Sequence, residues 1–399
     1  MASIARKNLL EDIPRFLVAQ AGIMFAVSLV TIQTGLQSGF ASSTSQLIDQ
    51  SRADIWVASK NLVHLDLTLP IPYERLLQAR FVRGVDRAEG VISRGAVWRQ
   101  LEVDKIASIS LIGAEPEGLL FPVSSVTKGS FSDLKQPYTF IVDETNLSNL
   151  NLRQVGGVGT LNSIPARLVG LTQGNQSIVF GTLALTSLET ANAYTNTSSN
   201  PPFFSNDENT LPSPELRPLT LTDSITFVLV RARFGENIEA LKRRLEEELP
   251  DTRAFTRAEM SELTQTYWQK RSGIGFILGL GAVVGVIVGV VVVGQILYAS
   301  VSDHLKEFGT LKAMGASDWF IYRVIMEQGL WMAILGYLPS MALCSGVAAW
   351  TATTQGITIL ITPVSATIVF GITVLMCVGS AIFAIQKVTR VDPAIVFKG

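Results

Sequence analysis

Residues 272–302 read SGIGFILGLGAVVGVIVGVVVVGQILYASVS, and residues 303–317 read DHLKEFGTLKAMGAS. The first run carries no charged side chain and consists largely of Val, Ile, Leu and Gly. About 20 apolar residues in a helix cross the hydrocarbon core of a bilayer. This run is therefore long enough to span with tilt to spare. The second run is short and charged, and a further apolar run begins at Trp319. A membrane helix, a compact charged elbow and another membrane helix make a device for receiving force at a membrane face.

Working outward, composition agrees with a membrane protein that has a large watery part. Hydrophobic residues make up 48% and charged residues 16%, with mean hydropathy +0.35. Such values place the chain outside ordinary soluble domains. Net charge is −1, which argues against a nucleic-acid partner. The two cysteines, Cys344 and Cys377, both lie in apolar runs, so no disulfide framework is expected.

Four spans are expected: 16–40, 272–302, 319–350 and 363–386. The first carries Gln20, Gln33 and Gln37 but no charge, and it exceeds the roughly 7–15 apolar residues of a signal peptide, so it reads as a retained anchor. Arg6, Lys7 and Arg15 precede span one; Lys306, Lys312 and Arg323 lie between spans two and three; Lys387, Arg390 and Lys398 follow span four. The loop 351–362 is uncharged. The excess of Lys and Arg sets the N-terminus (1–15), the elbow (303–318) and the tail (387–399) in the cytoplasm, with 41–271 on the other side. The fold expected is thus an integral membrane protein with four transmembrane α-helices and a large α+β extracytoplasmic domain inserted between helices 1 and 2. Tyr267 and Trp268 mark the outer edge of span two, and Tyr298 its inner edge.

Within 41–271, strands are expected at 54–58, 95–101, 107–113, 139–142, 166–171 and 226–231, where Val, Ile and aromatic residues concentrate. Helices are expected at 73–81, 182–194 and 236–249. The last has an apolar stripe of Ile238, Leu241, Leu245 and Leu249 and ends at Pro250. Its Lys242–Arg244 and Glu246–Glu248 runs read as a solvated face. Residues 192–218 are rich in Pro, Ser and Asn and read as a mobile loop between two subdomains. Residues 257–271 read as an amphipathic helix running straight into span two. The glycines at 156, 157 and 159 lack the Lys-Ser/Thr of a phosphate loop and read as a turn.

Gly281, Gly285 and Gly289 recur every fourth residue of span two, which puts them on one helix face where another backbone can approach closely. The partner, internal or from a second copy, stays open at this point. No acid or base lies deep in any span, where ion-coupled carriers place them. Pro339 permits a kink in span three.

The elbow reads as a helix closed by Gly315, with Lys312 in its last turn. Leu305, Phe308 and Leu311 share a side, and Gly309 gives a flat point for close approach. On the residues alone, two readings fit equally. One is a ridge that docks a partner; the other is a re-entry turn packed on the membrane surface.

The run Lys306-Glu-Phe-Gly-Thr-Leu-Lys-Ala-Met-Gly-Ala-Ser317 resembles the hallmark of FtsX/MacB-type ABC permeases. The order of one span, a large external domain, three spans and a short tail fits the same plan. Within that family the chain is most similar to the cyanobacterial DevC-type permeases, for example in Ala53-Asp-Ile-Trp-Val57. The resemblance implies a homodimer in the bacterial inner membrane, each copy gripped through the elbow by a separate ABC ATPase subunit that binds the ATP and magnesium. It also implies a periplasmic membrane-fusion adaptor and, beyond it, a TolC-like outer-membrane channel. Glu307 would then pair with basic groups of the ATPase. Gly309 and Gly315 would shape the elbow, with Lys312 in its last turn. Leu305, Phe308, Leu311 and Met314 would fill the docking cleft. Efflux is the expected function, and no Walker motif occurs in the chain, so hydrolysis is expected from another polypeptide. The alternatives are an FtsX-like mechanotransmitter that activates a cell-wall hydrolase, and an anchored receptor or sensor. No catalytic triad, paired carboxylates or metal-ligand spacing points to an enzyme, and His64 stands as a lone external histidine.

Overall fold

The computed structural model describes residues 13–101, 103, 105–121, 126–174, 181–196, 216–271, 273–303, 307, 309–311, 314–354 and 358–389. The chain divides into two compact units, one from residues up to Phe40 and from Ser272 onward, the other Ala41–Arg271.

The first unit holds four helices of membrane-spanning length: α1 (Ile13–Asp49), whose last turns belong to the second unit, then α6 (Ile274–Asp303), α7 (Asp318–Thr354) and α8 (Pro363–Thr389). Their apolar side chains build one core through Ile23, Val27, Val293, Leu297, Ile325, Met332 and Met376. With no water to bond, the small polar groups turn back on their own helices. Thr31, Ser340, Thr373 and Ser380 donate to the carbonyls of Val27, Gly336, Val369 and Met376 at 2.6–2.8 Å. Helix α7 passes through Pro339 without a break. It also continues to Thr354, four residues past the expected end of span three, and α1 continues to Asp49 instead of stopping near residue 40. The extension of α1 is held by burial of Leu47 and Ile48 and by a Ser45 hydroxyl that donates to Asp49 Oδ2 at 2.6 Å.

The second unit is α+β. In chain order it contains β1 (Ile55–Ser59), β2 (Ile71–Pro72), α2 (Glu74–Phe81), β3 (Val85–Gln100), β4 (Lys105–Ala114), β5 (Val126–Lys128) and β6 (Thr139–Asp143). There follow β7 (Val158–Leu161), β8 (Ile164–Thr172), β9 (Thr182–Ser187), α3 (Leu188–Asn196), β10 (Ser224–Ile225), β11 (Phe227–Ala232), α4 (Ile238–Glu248), β12 (Thr252–Thr256) and α5 (Arg257–Arg271). The main sheet runs β12-β1-β11-β3-β4-β9-β6-β8-β5. Because β7 pairs both β3 and β8, the strands β3-β4-β9-β6-β8-β7 close into a ring, and β11, β1 and β12 extend from β3 as an open wing. Strand β3 is thus shared by both parts.

Alternation along the wing explains its two cores. Ile55, Val57, Val228 and Val230 face one side with Leu76 of α2 and Leu241 and Leu245 of α4. Trp56, Ala58, Phe227 and Leu229 face the other with Leu47 and Ile48 of α1 and Met260 of α5. Both faces are covered, so these strands read as continuous apolar runs.

Three expectations are corrected here. Residues 182–194 are not one helix: Thr182–Ser187 form β9, buried at every position between β4 and β6, and only Leu188 begins α3. Leu and Ala in a strand buried on both faces carry a helical look that tertiary packing overrides. Residues 257–271 do not run straight into the span, because α5 ends at Arg271, α6 begins at Ile274, and Gly273 sits between at φ 65°. The glycine group splits, with Gly156 in a turn at φ 95° and Gly159 inside β7. A side chain at 159 would run into the Trp98 ring, which is what requires glycine there. Of the expected mobile loop 192–218, residues 197–215 lie outside the described residues.

Candidate functional site

The elbow is seen in part. Glu307 and Gly309–Leu311 are helical, while Leu305, Phe308 and Lys312 lie outside the described residues. The helix closes as its sequence dictates. Gly315 takes φ 93°, Met314 N–H donates to Thr310 O at 3.0 Å, and Ala316 N–H donates back to Leu311 O at 2.9 Å. The Ala316 bond is the six-to-one bond of a Schellman closure, while the Met314 bond is the last ordinary helical one; such a closure needs a left-handed residue where glycine pays no steric cost. Two residues on, Ser317 starts α7 by accepting the Phe320 N–H at 3.3 Å. The elbow is thus a helix end and a helix start separated by one tight reversal.

Exposure sorts its residues. Glu307 is exposed and Met314 is 72% exposed, so both face outward. Leu311 is half-buried against the core of the helical unit, and Gly309 is buried. Leu311 therefore does not stand on a free ridge, which corrects the expected set. Three-residue spacing puts residues on one side of a helix but does not say which side faces the bundle.

The glycine row of α6 meets α1 within the same chain. A Cβ at Gly281 would touch Gln33 at 2.6 Å, at Gly285 it would touch Leu29 and Val30 at 3.2 Å, and at Gly289 it would meet Ala26 at 2.9 Å as well as Met376 Sδ of α8. Gly22 extends the contact, lying directly against Val292. The pairs ascend α1 as they descend α6, so the two helices pack antiparallel with backbones in close approach. Other such points went unread in the sequence. Gly35 and Gly39 of α1 lie against Ile359 and Thr358, and Gly336 of α7 lies against Ile23. The spacing of four between Gly35 and Gly39 was the available signal.

The packing gives a paired prediction. Gly289→Leu will destabilise the helical unit by about 1–3 kcal/mol through overpacking. Gly279→Leu, where a side chain meets nothing within 4 Å, will change it by no more than about 0.5 kcal/mol. Heat-induced unfolding of the purified protein in detergent measures both, and equal losses would show that the row is not an interface.

Few groups elsewhere suggest chemistry. Among the described residues no cluster of His, Cys, Asp and Glu could hold a metal. Gln20 has both amide atoms buried without a hydrogen-bond partner, and Gln328 Oε1 likewise, but they are isolated neutral groups among apolar helices. In the second unit a cleft of about 580 Å³ is lined by Gln136, Tyr138, Pro165 and Arg167, with no acid–base pair in it. His64 is buried, and burial lowers its pKa. It stacks on Tyr267 with ring centres 4.1 Å apart, and Nδ1 accepts the Asp66 N–H at 3.3 Å.

Two family models match. Residues 16–248 match the MacB-like periplasmic core domain, and residues 279–393 match the FtsX-like permease C-terminal region. Among curated proteins, the macrolide export ATP-binding/permease protein MacB of Burkholderia lata is 24% identical over 274 residues. That alignment covers 66% of this chain and 37% of the relative, so the chain spans well under half of that protein's length. The MacB of Burkholderia cenocepacia gives the same identity and coverage. Among solved structures, the periplasmic region of MacB from Actinobacillus actinomycetemcomitans superposes with TM-score 0.36 at 11% identity, covering 54% of this chain and 94% of that one. The extracellular domain of the ABC-type transporter YknZ from Gram-positive bacteria gives TM-score 0.35 at 11% identity, covering 51% and 99%.

Proposed function

Because this chain belongs to the FtsX/MacB-type ABC permeases, we propose that it is the membrane subunit of an ATP-driven efflux machine whose nucleotide hydrolysis is done by a separate ABC ATPase. The observation that carries the reading is one chain joining a periplasmic-core match to a permease match, with a tightly closed elbow between α6 and α7. Glu307 and Met314 project from that elbow and form the surface an ATPase subunit grips. Closure of two ATPase subunits on ATP moves the elbows of two paired copies. The antiparallel α1–α6 pair, locked by its glycines, carries the movement toward the second unit.

The elbow and both termini lie in the cytoplasm of a bacterium, and Ala41–Arg271 lies in the periplasm. There a membrane-fusion adaptor and an outer-membrane channel receive the stroke and expel the cargo. The helical unit has no charged pathway among its described residues, which suits a machine that pushes cargo outside the membrane rather than through it. Reconstitution in nanodiscs with the ATPase subunit tests the reading. ATP hydrolysis is expected to rise when the chain is present and to rise further on addition of the adaptor. An unchanged rate with and without the chain would overturn it, and stimulation by a cell-wall hydrolase in place of the adaptor would transfer the stroke to the mechanotransmitter reading.

A further inference from the structure

We propose that the turn at 62–69 is a lipid-dipping anchor, which inserts Val63, Leu67 and Leu69 into the headgroup and upper acyl region of the leaflet that the second unit faces. Residues 60–69 read KNLVHLDLTL, apolar at nearly every second position. They fold into a tight reversal. Val63 N–H donates to Leu67 O at 2.9 Å and Leu67 N–H donates to His64 O at 3.0 Å. One side of this reversal is fixed inward: Leu65 is buried in the core with Trp56 and Met260, and Leu62 packs on the same core. The other side is left to solvent, with Val63 44% exposed, Leu67 51% and Leu69 55%.

What covers these side chains follows from where the turn is fastened. His64 stacks on Tyr267 and meets Trp268 edge-on, with ring centres 5.5 Å apart. Both aromatics lie on the last turns of α5, and exposed Lys270 and Arg271 follow them. Ile274 then opens the most apolar span in the chain, of mean hydropathy 3.0. The chain limits the separation. Four helical steps of 1.5 Å and three extended steps of about 3.5 Å leave Tyr267 no more than about 17 Å from Ile274. Tyr and Trp beside Lys and Arg at the end of a span are the residues that sit among lipid headgroups. A turn stacked on Tyr267 and Trp268 shares their surroundings, with three aliphatic side chains outward.

A protein partner fits less well. Three side chains are far short of the roughly 1,000 Å² that a specific protein interface buries, whereas a few aliphatic groups backed by basic residues are the makings of an interfacial anchor. The inference needs only that α6 spans a membrane and does not rest on the efflux reading.

The test uses the full chain with Cys344→Ala and Cys377→Ala, carrying Leu67→Cys or Leu69→Cys labelled with a fluorophore. Both positions are about half exposed, so the packing of Leu65 and His64 is left alone. In nanodiscs of phosphatidylethanolamine and phosphatidylglycerol with a nitroxide on an upper acyl carbon, each label is expected to be quenched at least about threefold more than one at Ser132→Cys on an exposed turn of the same unit. Quenching no greater than at Ser132 would overturn the proposal. So would a label shielded from iodide in water yet untouched by the lipid nitroxide, which would give the turn to a second copy or another protein.

Discussion

Glu89→Ala will cost the second unit about 2–6 kcal/mol, the loss expected when two backbone N–H donors are left without their acceptor at about 1–3 kcal/mol each. Glu89 is the fifth residue of β3 and is 2% exposed. One carboxylate oxygen accepts the Leu119 N–H at 2.7 Å and the Arg87 Nε–H, and the other accepts the Leu120 N–H at 3.0 Å. Gly118 lies so close that a Cβ would fall 2.6 Å from Oε2. Alanine would leave the Leu119 and Leu120 N–H groups without their acceptor. The consequence reaches beyond one strand, because Leu120 O in turn accepts the Arg52 N–H at 2.9 Å just after α1 ends. Glu89 therefore ties the exit of α1 to the strand that the ring and the wing share. Arg87→Ala removes one of three donors to the carboxylate and will cost less, about 1–2 kcal/mol, because the Leu119 and Leu120 N–H groups still hold Glu89. Denaturant unfolding of the full chain in detergent, followed by the buried Trp56 and Trp98, measures both. Equal losses would show that the carboxylate is not a clamp.

That clamp marks a limit of what the sequence makes legible. The four spans announce themselves, since a membrane helix must satisfy its backbone internally and needs an unbroken apolar run. The α4 stripe of Leu241 and Leu245 and the strands at 139–143 and 164–172 are legible for a similar reason, because local period and local burial agree. A single Glu at position 89 inside a strand reads as a surface charge. Only the return of the loop carrying Leu119 and Leu120, about 30 residues later, makes it internal. Strand β9 reads locally as helix because its burial between β4 and β6 comes from pairing that the local pattern does not contain. The elbow divides along the same line. Gly315 is legible because left-handed backbone selects glycine from local sterics alone. The inward turn of Leu311 was not, because it depends on the cluster around Val301 and Ile321.

This division decides how the proposed docking should be tested, and Glu307→Lys is expected to abolish stimulation of the ATPase while leaving membrane insertion and thermal unfolding of the chain unchanged. Glu307 is exposed, so charge reversal there disturbs no core. If it meets basic groups of an ATPase across a desolvated contact, losing the pair and adding repulsion costs about 2–5 kcal/mol. That weakens binding by roughly 30- to 4,000-fold, enough to empty the site at ordinary concentrations. Met314→Asp, at a position 72% exposed, is expected to have the same effect by placing a charge where an apolar contact is needed. Gly309→Trp is the poorer test. It also abolishes stimulation if the elbow docks, but Gly309 is buried, so an indole there would disturb the packing of the elbow itself and lose activity under either reading. Glu262→Lys reverses an exposed charge on α5, in the other unit, and should stimulate normally. ATPase rates and co-purification yields across the four variants separate the cases. If Glu307→Lys and Met314→Asp both stimulate like the parent, the elbow is only a re-entry turn. The ATPase must then grip another surface of the helical unit.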